Sequence, residues 1–255
     1  MIDLRISQVA VVIPALNEAG TIRKVVTGAL AQVPRVIVID DGSEDGTADE
    51  LTGLPVMLLR NRHNLGKGKS LRRGLEQAWQ DGAHVVITLD GDGQHEPKEI
   101  PSLLDVHRRH PRAIVIGARL HDKHNIPSAR YNANRIANFW ISWAAGQPIV
   151  DSQSGFRLYP LDVIHEVALP RSKTGGFVFE SEILIESGRS GVNILAVSVA
   201  AIYGRHLRRS HFRQVTDVAL IFRMVAWKLR ARGMDVPGLV RSLSTPPVRN
   251  DHRYP

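Results

Sequence analysis

Apolar and polar positions along the first half of the chain fall into two kinds of block. Short aliphatic runs at 9–13, 36–39, 56–59, 85–89 and 114–116 are rich in Val and Ile and bounded by Gly, Pro, Asn or Asp. That pattern predicts buried strands. Between them lie longer stretches with apolar residues at three- and four-residue spacing, which predict helices over about 21–31, 70–80 and 97–109. Pro97 opens the last of these, a residue well accepted in a first helical turn. Ser43 or Asp45 can cap a short helix running through Leu51.

Strands alternating with helices in this way predict an α/β fold with a mostly parallel central sheet. Strands of a parallel sheet end at one edge, so the loops at 14–18, 40–43, 61–67 and 90–94 and Arg119 should converge there. The second half is less regular. It predicts a helix over 128–145, a loop at 151–157, a helix entered near 177–187, a strand over 193–202 and a helix from about 212 to 232. In that last helix Phe212, Val215, Ala219, Phe222, Ala226 and Leu229 share a face. Gly233 ends it, and the Pro-, Ser- and Arg-containing stretch from Asp235 reads as a mobile tail. The expected organisation is a catalytic domain over 1–204, a basic amphipathic helical appendage over 205–234 and a disordered tail over 235–255.

Composition changes this picture in two places. The chain has 255 residues and no cysteine, which excludes disulfides and thiolate metal sites and fits a cytoplasmic setting. It has no stretch of continuous apolar residues long enough for a transmembrane helix, and the first strand lacks a basic leader or cleavage site. The net charge of +8 is unevenly spread: residues 203–255 hold 11 Lys+Arg against 3 Asp+Glu, and the rest hold 22 of each sign. The basic excess therefore points to an anionic partner for the C-terminal segment. Aromatic residues are not interleaved as in stacking platforms, so nucleic acid is not expected.

The candidate chemistry centres on Asp90-Gly91-Asp92-Gly93-Gln94-His95, directly after the strand at 85–89. Asp-x-Asp places hard oxygen ligands within reach of one Mg²⁺ or Mn²⁺, with diphosphate oxygens completing the shell. Such a cation neutralises charge developing on a departing diphosphate. A hydroxyl acceptor would also need a general base, for which Asp151, Glu180 and Glu182 are candidates. A phosphate acceptor needs arginines instead, and Arg119, Arg130 and Arg135 are available. Lys67 and Lys69 suggest a phosphate loop, but His63 stands where that motif requires glycine. No Gly-x-Gly-x-x-Gly follows the first strand.

Several stretches together resemble one family. They are Val-Val-Ile-Pro-Ala-Leu-Asn-Glu (11–18), Val-Ile-Asp-Asp-Gly-Ser-Glu-Asp-Gly-Thr (38–47), Asn-Leu-Gly-Lys-Gly-Lys-Ser (64–70), the Asp-Gly-Asp-Gly-Gln-His segment, Gly-Ala-Arg (117–119) and Asp-Ser-Gln-Ser-Gly-Phe-Arg (151–157). In order and spacing the chain resembles family 2 glycosyltransferases of the GT-A fold, in particular the polyprenyl-phosphate sugar synthases such as dolichyl-phosphate mannose synthase. The resemblance implies that Pro14, Ala15 and Glu18 line a nucleotide pocket, that Asp40 bonds the base with Asp41 beside it, and that Lys67 and Gly91 lie near the nucleotide. It implies a metal on Asp90, Asp92 and Gln94, an acceptor phosphate facing Arg119 and Arg130, and Asp151 as base or sugar-orienting carboxylate. Asn134 stands where that branch often has serine.

The implied activity is inverting, metal-dependent transfer of a sugar from a UDP- or GDP-sugar to a lipid-linked acceptor, foremost a polyprenyl phosphate. Transmembrane hairpins found in some relatives are missing from the sequence, which leaves lipid or soluble hydroxyl acceptors open. Peripheral contact with the cytoplasmic face of a membrane is expected through Arg205, Arg208, Arg209, Arg213, Arg223, Lys228, Arg230 and Arg232; an ordinary helix covering the domain is the alternative. His206 and His211 can grip phosphate or lie exposed. A sugar-nucleotide pyrophosphorylase is less favoured because its Gly- and Arg-rich first loop is absent, and a non-catalytic binding module because Asp90, Asp92 and Asp151 are intact.

Overall fold

The computed structural model describes residues 5–119, 128–167, 177–200 and 214–246, with side chains from 132, 178 and 219 onward in the helices opening the last three segments. A seven-stranded sheet forms its centre. The strands are β1 (Val9–Ala15), β2 (Arg35–Asp40), β3 (Met57–Arg60), β4 (Val85–Thr88), β5 (Ile114–Ala118), β6 (Arg157–Pro160) and β7 (Ile194–Ser198). Their order across the sheet is β3-β2-β1-β4-β6-β5-β7. All pairings are parallel except those of β6, which runs against β4 on one side and β5 on the other.

The predicted elements are observed, with helices α1 (Ile22–Leu30), α2 (Lys67–Gln80), α3 (Ile100–Arg109), α4 (Ser128–Ala145), α5 (Leu161–Glu166), α6 (Phe177–Arg189) and α7 (Gln214–Ala231). Short 3-10 turns occupy Asp49–Leu51 and Pro97–Glu99. The sheet is covered on both faces, which is why its inner strands are apolar at successive positions. On β1, Val9, Val11 and Ile13 join α1 and α3 in one core, while Ala10 and Val12 join α2, α4, α6 and α7 in the other. Gly74 lets α2 lie close on the sheet: a Cβ there would come within 2.4 Å of Val12 and 2.7 Å of Ile39.

β1 continues past the expected boundary through Pro14 and Ala15. The Val12 carbonyl accepts from Leu89 and the Ala15 carbonyl accepts from Asp41, so the nitrogen of Pro14 faces the β4 side beyond the end of that ladder. Its missing N–H therefore costs no ladder bond.

Three expectations need correction. The loop expected over 151–157 stops short of Arg157, which opens β6; four residues bounded by Arg157 and Pro160 carry too little pattern to announce a strand. The tail from 235 was expected to be disordered, yet Val236–Ser244 forms helix α8, packed on α4. Asp235 caps it by accepting from Gly238 N at 3.1 Å, Pro237 suits its first turn, and Trp143 Nε1 donates to the Asp235 carbonyl at 3.2 Å. The third concerns α7. Ile221, Val225 and Leu229 enter the main core, so this part of the expected appendage is packed on the domain. Lys228 turns inward to Glu186 at 2.6 Å and Glu182 at 3.6 Å, and Arg232 pairs with Glu186 at 2.8 Å, so neither belongs to an outward basic face. Arg205, Arg208, Arg209, Arg213, His206 and His211 lie outside the described residues.

His107, on the inner face of α3, is buried with Nδ1 lacking a partner. Burial, aided by Arg108, lowers its pKa against the pull of Asp162. The unfolded chain then takes up the proton first as pH falls, so this group costs stability below its unfolded value of about 6.5. Replacing it by His107→Leu should flatten the fall in urea-unfolding free energy between about pH 8 and about pH 5; an unchanged slope would show that His107 has no part in it.

Candidate active site

Five loops reach the same edge of the sheet, and hydrogen bonds between them fix the first three. Asn17 N donates to Ser43 Oγ (2.9 Å), Glu18 N to Thr47 Oγ1 (2.7 Å) and Ala19 N to Asp45 Oδ2 (3.1 Å). Asn17 adopts φ 55°, a left-handed conformation that asparagine tolerates better than most residues. Asp40, fully buried at the end of β2, accepts from Ser43 N (2.9 Å) through Oδ1 and lies 3.0 Å from Arg60 Nε through Oδ2. Asp41 holds the next loop: it accepts from Asn61 Nδ2 (2.7 Å), Leu65 N (3.0 Å) and Gly66 N (2.8 Å). Pro14, Ala15 and Glu18 sit where β1 delivers them to this edge. Asp41 is instead committed to shaping the 61–66 loop.

Asp90 and Asp92 follow β4. The Asp90 carboxylate contacts Lys67 Nζ at 2.7 Å, and the same ammonium lies 3.1 Å from Glu180 on α6. Burial would raise the pKa of Asp90, but Lys67 draws it below the usual carboxylate range. Asp92 forms no such ion pair among the described residues; burial first, then repulsion from Asp90, pushes it up to about 6 against a weaker pull from Lys67 and Arg119. The Asp92 carboxylate accepts from Gln94 N at 3.0 Å, which folds the turn back on itself. Gly91 is locked by Thr21 Oγ1 donating to its carbonyl at 2.6 Å. His95 is buried against Phe156, its Nδ1 has no partner, and burial together with Arg119 pushes its pKa down to about 4.

Arg119, at the end of β5, meets Asp151 in a two-pronged contact, Nε to Oδ2 at 2.8 Å and Nη2 to Oδ1 at 2.7 Å, while its backbone N donates to Oδ2 at 3.0 Å. Burial opposes ionisation of Asp151, yet Arg119 holds its pKa lowered. Asp151 itself adopts φ 49°. Arg130 lies in the first turn of α4, its side chain outside the described residues. Arg135 and Asn134 are further along that helix, Arg135 exposed. Glu182, expected as a possible base, faces Lys228 instead.

Arg157, the last residue of the Asp-Ser-Gln-Ser-Gly-Phe-Arg stretch, has a role that its sequence position does not announce. The structure makes it the hub of the second half. Wholly buried, it donates to the carbonyls of Ser154 (2.7 Å), Ser152 (2.8 Å) and Glu180 (2.9 Å) and to Tyr159 Oη (3.2 Å). It thereby ties the loop carrying Asp151 to the helix carrying Glu180. Asn138 adds a second tie, accepting from Ser152 N (2.8 Å) and Oγ (2.7 Å). The available signal was a lone charge among apolar and aromatic neighbours, Gly-Phe-Arg-Leu-Tyr-Pro.

Residues 10–167 match the family described as Glycosyl transferase family 2. The chain belongs to that family. It is 27% identical over 242 residues to the polyprenol monophosphomannose synthase of Mycolicibacterium smegmatis, covering 91% of each chain. It is 25% identical over 239 residues to the UDP-N-acetylglucosamine–dolichyl-phosphate N-acetylglucosaminyltransferase of Methanococcus voltae, covering 86% of this chain and 95% of that one. Among solved structures it is similar to glucosyl-3-phosphoglycerate synthase from Mycobacterium tuberculosis, described in complex with Mn²⁺, UDP and glucosyl-3-phosphoglycerate. The TM-score there is 0.64 at 20% identity, over 88% of this chain and 79% of that one. The fold is thus GT-A, and the chain's relatives lie in the polyprenyl-phosphate branch.

In this family 2 glycosyltransferase the position of Asp90 depends on a residue with no side chain. Thr88 Oγ1 donates to the Gly155 carbonyl at 2.7 Å, bringing that backbone against the carboxylate. A Cβ on Gly155 would lie 2.4 Å from Asp90 Oδ2. Gly155→Ala should therefore displace Asp90, costing about 1–3 kcal/mol of stability. Transfer should fall on the order of 10²-fold, as misplaced reacting groups do. Calorimetry and turnover measure both; full turnover in this variant would show that Asp90 can work from another place.

Proposed function

We propose that this glycosyltransferase moves a sugar, with inversion, from a UDP- or GDP-sugar to a polyprenyl phosphate at the cytoplasmic face of a membrane. The observation that carries the choice of acceptor is that every carboxylate expected to serve as base is tied to a cation. Asp151 is gripped by Arg119, Glu180 by Lys67 and Glu182 by Lys228. A hydroxyl acceptor needs a base to remove its proton, whereas a phosphate is already a nucleophilic anion. The names of the Mycolicibacterium and Methanococcus relatives support the same acceptor class.

Asp90 and Asp92, with the Gln94 amide, suit Mg²⁺ or Mn²⁺. Two carboxylates close enough for one to raise the other's pKa, beside an unpartnered buried imidazole nitrogen, form a site where a divalent ion relieves repulsion. When bound, that ion neutralises charge on the departing diphosphate. The protein's own part is positional. The 14–18 and 40–43 loops receive the nucleoside, and Asp40, buried between Ser43 N and Arg60, shapes the second of them. Asp151 holds Arg119 in one orientation to meet the acceptor phosphate, joined by Arg130. An oxygen of that phosphate bonds to the anomeric carbon from the face opposite the diphosphate, whose bond to the sugar breaks.

Radiolabelled sugar should pass from the donor into an organic-extractable product when polyprenyl phosphate is supplied, and label confined to the aqueous phase would overturn the lipid acceptor. Asp151→Asn should raise the KM for polyprenyl phosphate by about tenfold or more, through a loosened Arg119, and lower kcat less. A fall in kcat on the order of 10²–10⁴ with loss of the acidic limb of the pH profile would instead mark Asp151 as a general base.

Membrane contact is proposed for the outer surface of α7 and α8. No helix among the described residues is long and apolar enough to cross a membrane. Trp227 is 67% exposed, Val240 57% and Leu243 66%, and Arg223, Arg230 and Arg241 are exposed near them in sequence. Apolar insertion combined with basic residues is the pattern of interfacial helices, each charge adding about 1 kcal/mol on an anionic surface. The combined Trp227→Ser, Val240→Ser and Leu243→Ser variant should bind anionic vesicles about tenfold or more weakly in co-sedimentation; equal binding would place the membrane contact elsewhere.

A further inference from the structure

Lys67 occupies the first position of α2, with its ammonium 2.7 Å from Asp90 and 3.1 Å from Glu180 and most of its side chain out of solvent. Lys67 is the described cation in direct contact with Asp90, whereas Arg119 is paired with Asp151 and acts on Asp90 from further off. A divalent ion on Asp90 and Asp92 would stand against this ammonium, and like charges at that separation in a partly desolvated site repel strongly. A nucleoside diphosphate changes the balance, because its oxygens can take both cations at once. Glu180, buried and anchored through the Arg157 bond to its carbonyl, keeps the ammonium within the site after it leaves Asp90.

We propose that Lys67 makes metal and nucleotide binding mutually dependent: it covers Asp90 in the free protein, holds off a divalent ion, and yields to that ion when a diphosphate arrives to receive the ammonium. The inference rests on the donor chemistry proposed above. Lys67 yields by moving: its ammonium passes from Asp90 to the diphosphate while Glu180 stays within reach of it. The device is a coupling between two ligands, and linkage makes it reciprocal: whatever factor the diphosphate adds to metal affinity, the metal adds to diphosphate affinity. It predicts that donor and metal enter together, so that the Asp90–Asp92 pair is not left charged with metal when no sugar nucleotide is present.

The test is a binding cycle read without turnover. Mn²⁺ affinity is measured by electron paramagnetic resonance of the free ion, for the full chain alone and with saturating UDP or GDP. The wild-type protein should bind Mn²⁺ poorly alone and much more tightly with nucleotide. Lys67→Gln should tighten Mn²⁺ alone while gaining little in the presence of nucleotide, reducing the ratio of the two affinities by about tenfold. If Lys67 only repelled cations in general, both affinities would tighten equally and the ratio would stay as it was; that result overturns the inference. Glu180→Gln, which leaves the ammonium on Asp90, should raise the ratio, and a ratio at or below wild type would remove Glu180 from the device. Failure of the wild-type protein to bind Mn²⁺ even with nucleotide would overturn the metal reading of the site itself, and the coupling with it.

Discussion

Charge removed from water must be balanced where it lies, and the catalytic edge of this protein is arranged around that constraint. Asp90 is balanced by Lys67, Lys67 in turn by Glu180, and Asp151 by Arg119. Arg157 is surrounded by carbonyls and a phenol and spreads its charge over four acceptors. In the free protein each group is held in one place because leaving it would strand a partner in a medium that solvates ions poorly. The site's rigidity thus follows from its electrostatics: the packing of the sheet brings the charges together, and their mutual dependence keeps them aligned.

The same rule extends outward. Lys228 on α7 and Arg232 just past its end satisfy Glu186 on α6, the helix that also carries Glu180. Burial would raise the pKa of Glu186, and the two cations hold it lowered. Helix α7 therefore braces the helix that presents a carboxylate to Lys67. Its remaining cations, Arg223 and Arg230, are exposed, so one helix divides its charges between the interior and the outer surface.

Most of the architecture was legible because the strands are buried on both faces and therefore appear as uninterrupted aliphatic runs. Val85 to Thr88 and Val36 to Ile39 could hardly be anything else. The functional loops were legible for a related reason: a parallel sheet dictates which ends converge. What sequence could not disclose was pairing. Asp151, Glu180 and Glu182 looked equally able to accept a proton, and only their positions beside Arg119, Lys67 and Lys228 separate a committed carboxylate from a reactive one. Lys228 read as a surface charge because nothing in a helical period says which acidic residues wait on the neighbouring helix. α8 was hidden by Pro237 and by a composition resembling that of a flexible tail, although Val236, Val240 and Leu243 recur at helical spacing. β6 was hidden by its brevity.

The reversal of β6 shapes how the two halves of the molecule can diverge. In the other six strands the chain reaches the working edge on leaving a strand, but in β6 it stands at that edge just before entering, with Asp151 to Gly155 still ahead of the first backbone bond, from Gly117 N to the Phe156 carbonyl. The loop carrying Asp151 is accordingly attached at its far end to the middle of the sheet, while its near end comes from α4. Lengthening or recolouring the chain between α4 and Asp151 would alter that loop without disturbing the strands that carry Asp40 and Asp90. One inverted strand separates, within a single core, the parallel strand ends that bear those two aspartates from a loop that can change on its own.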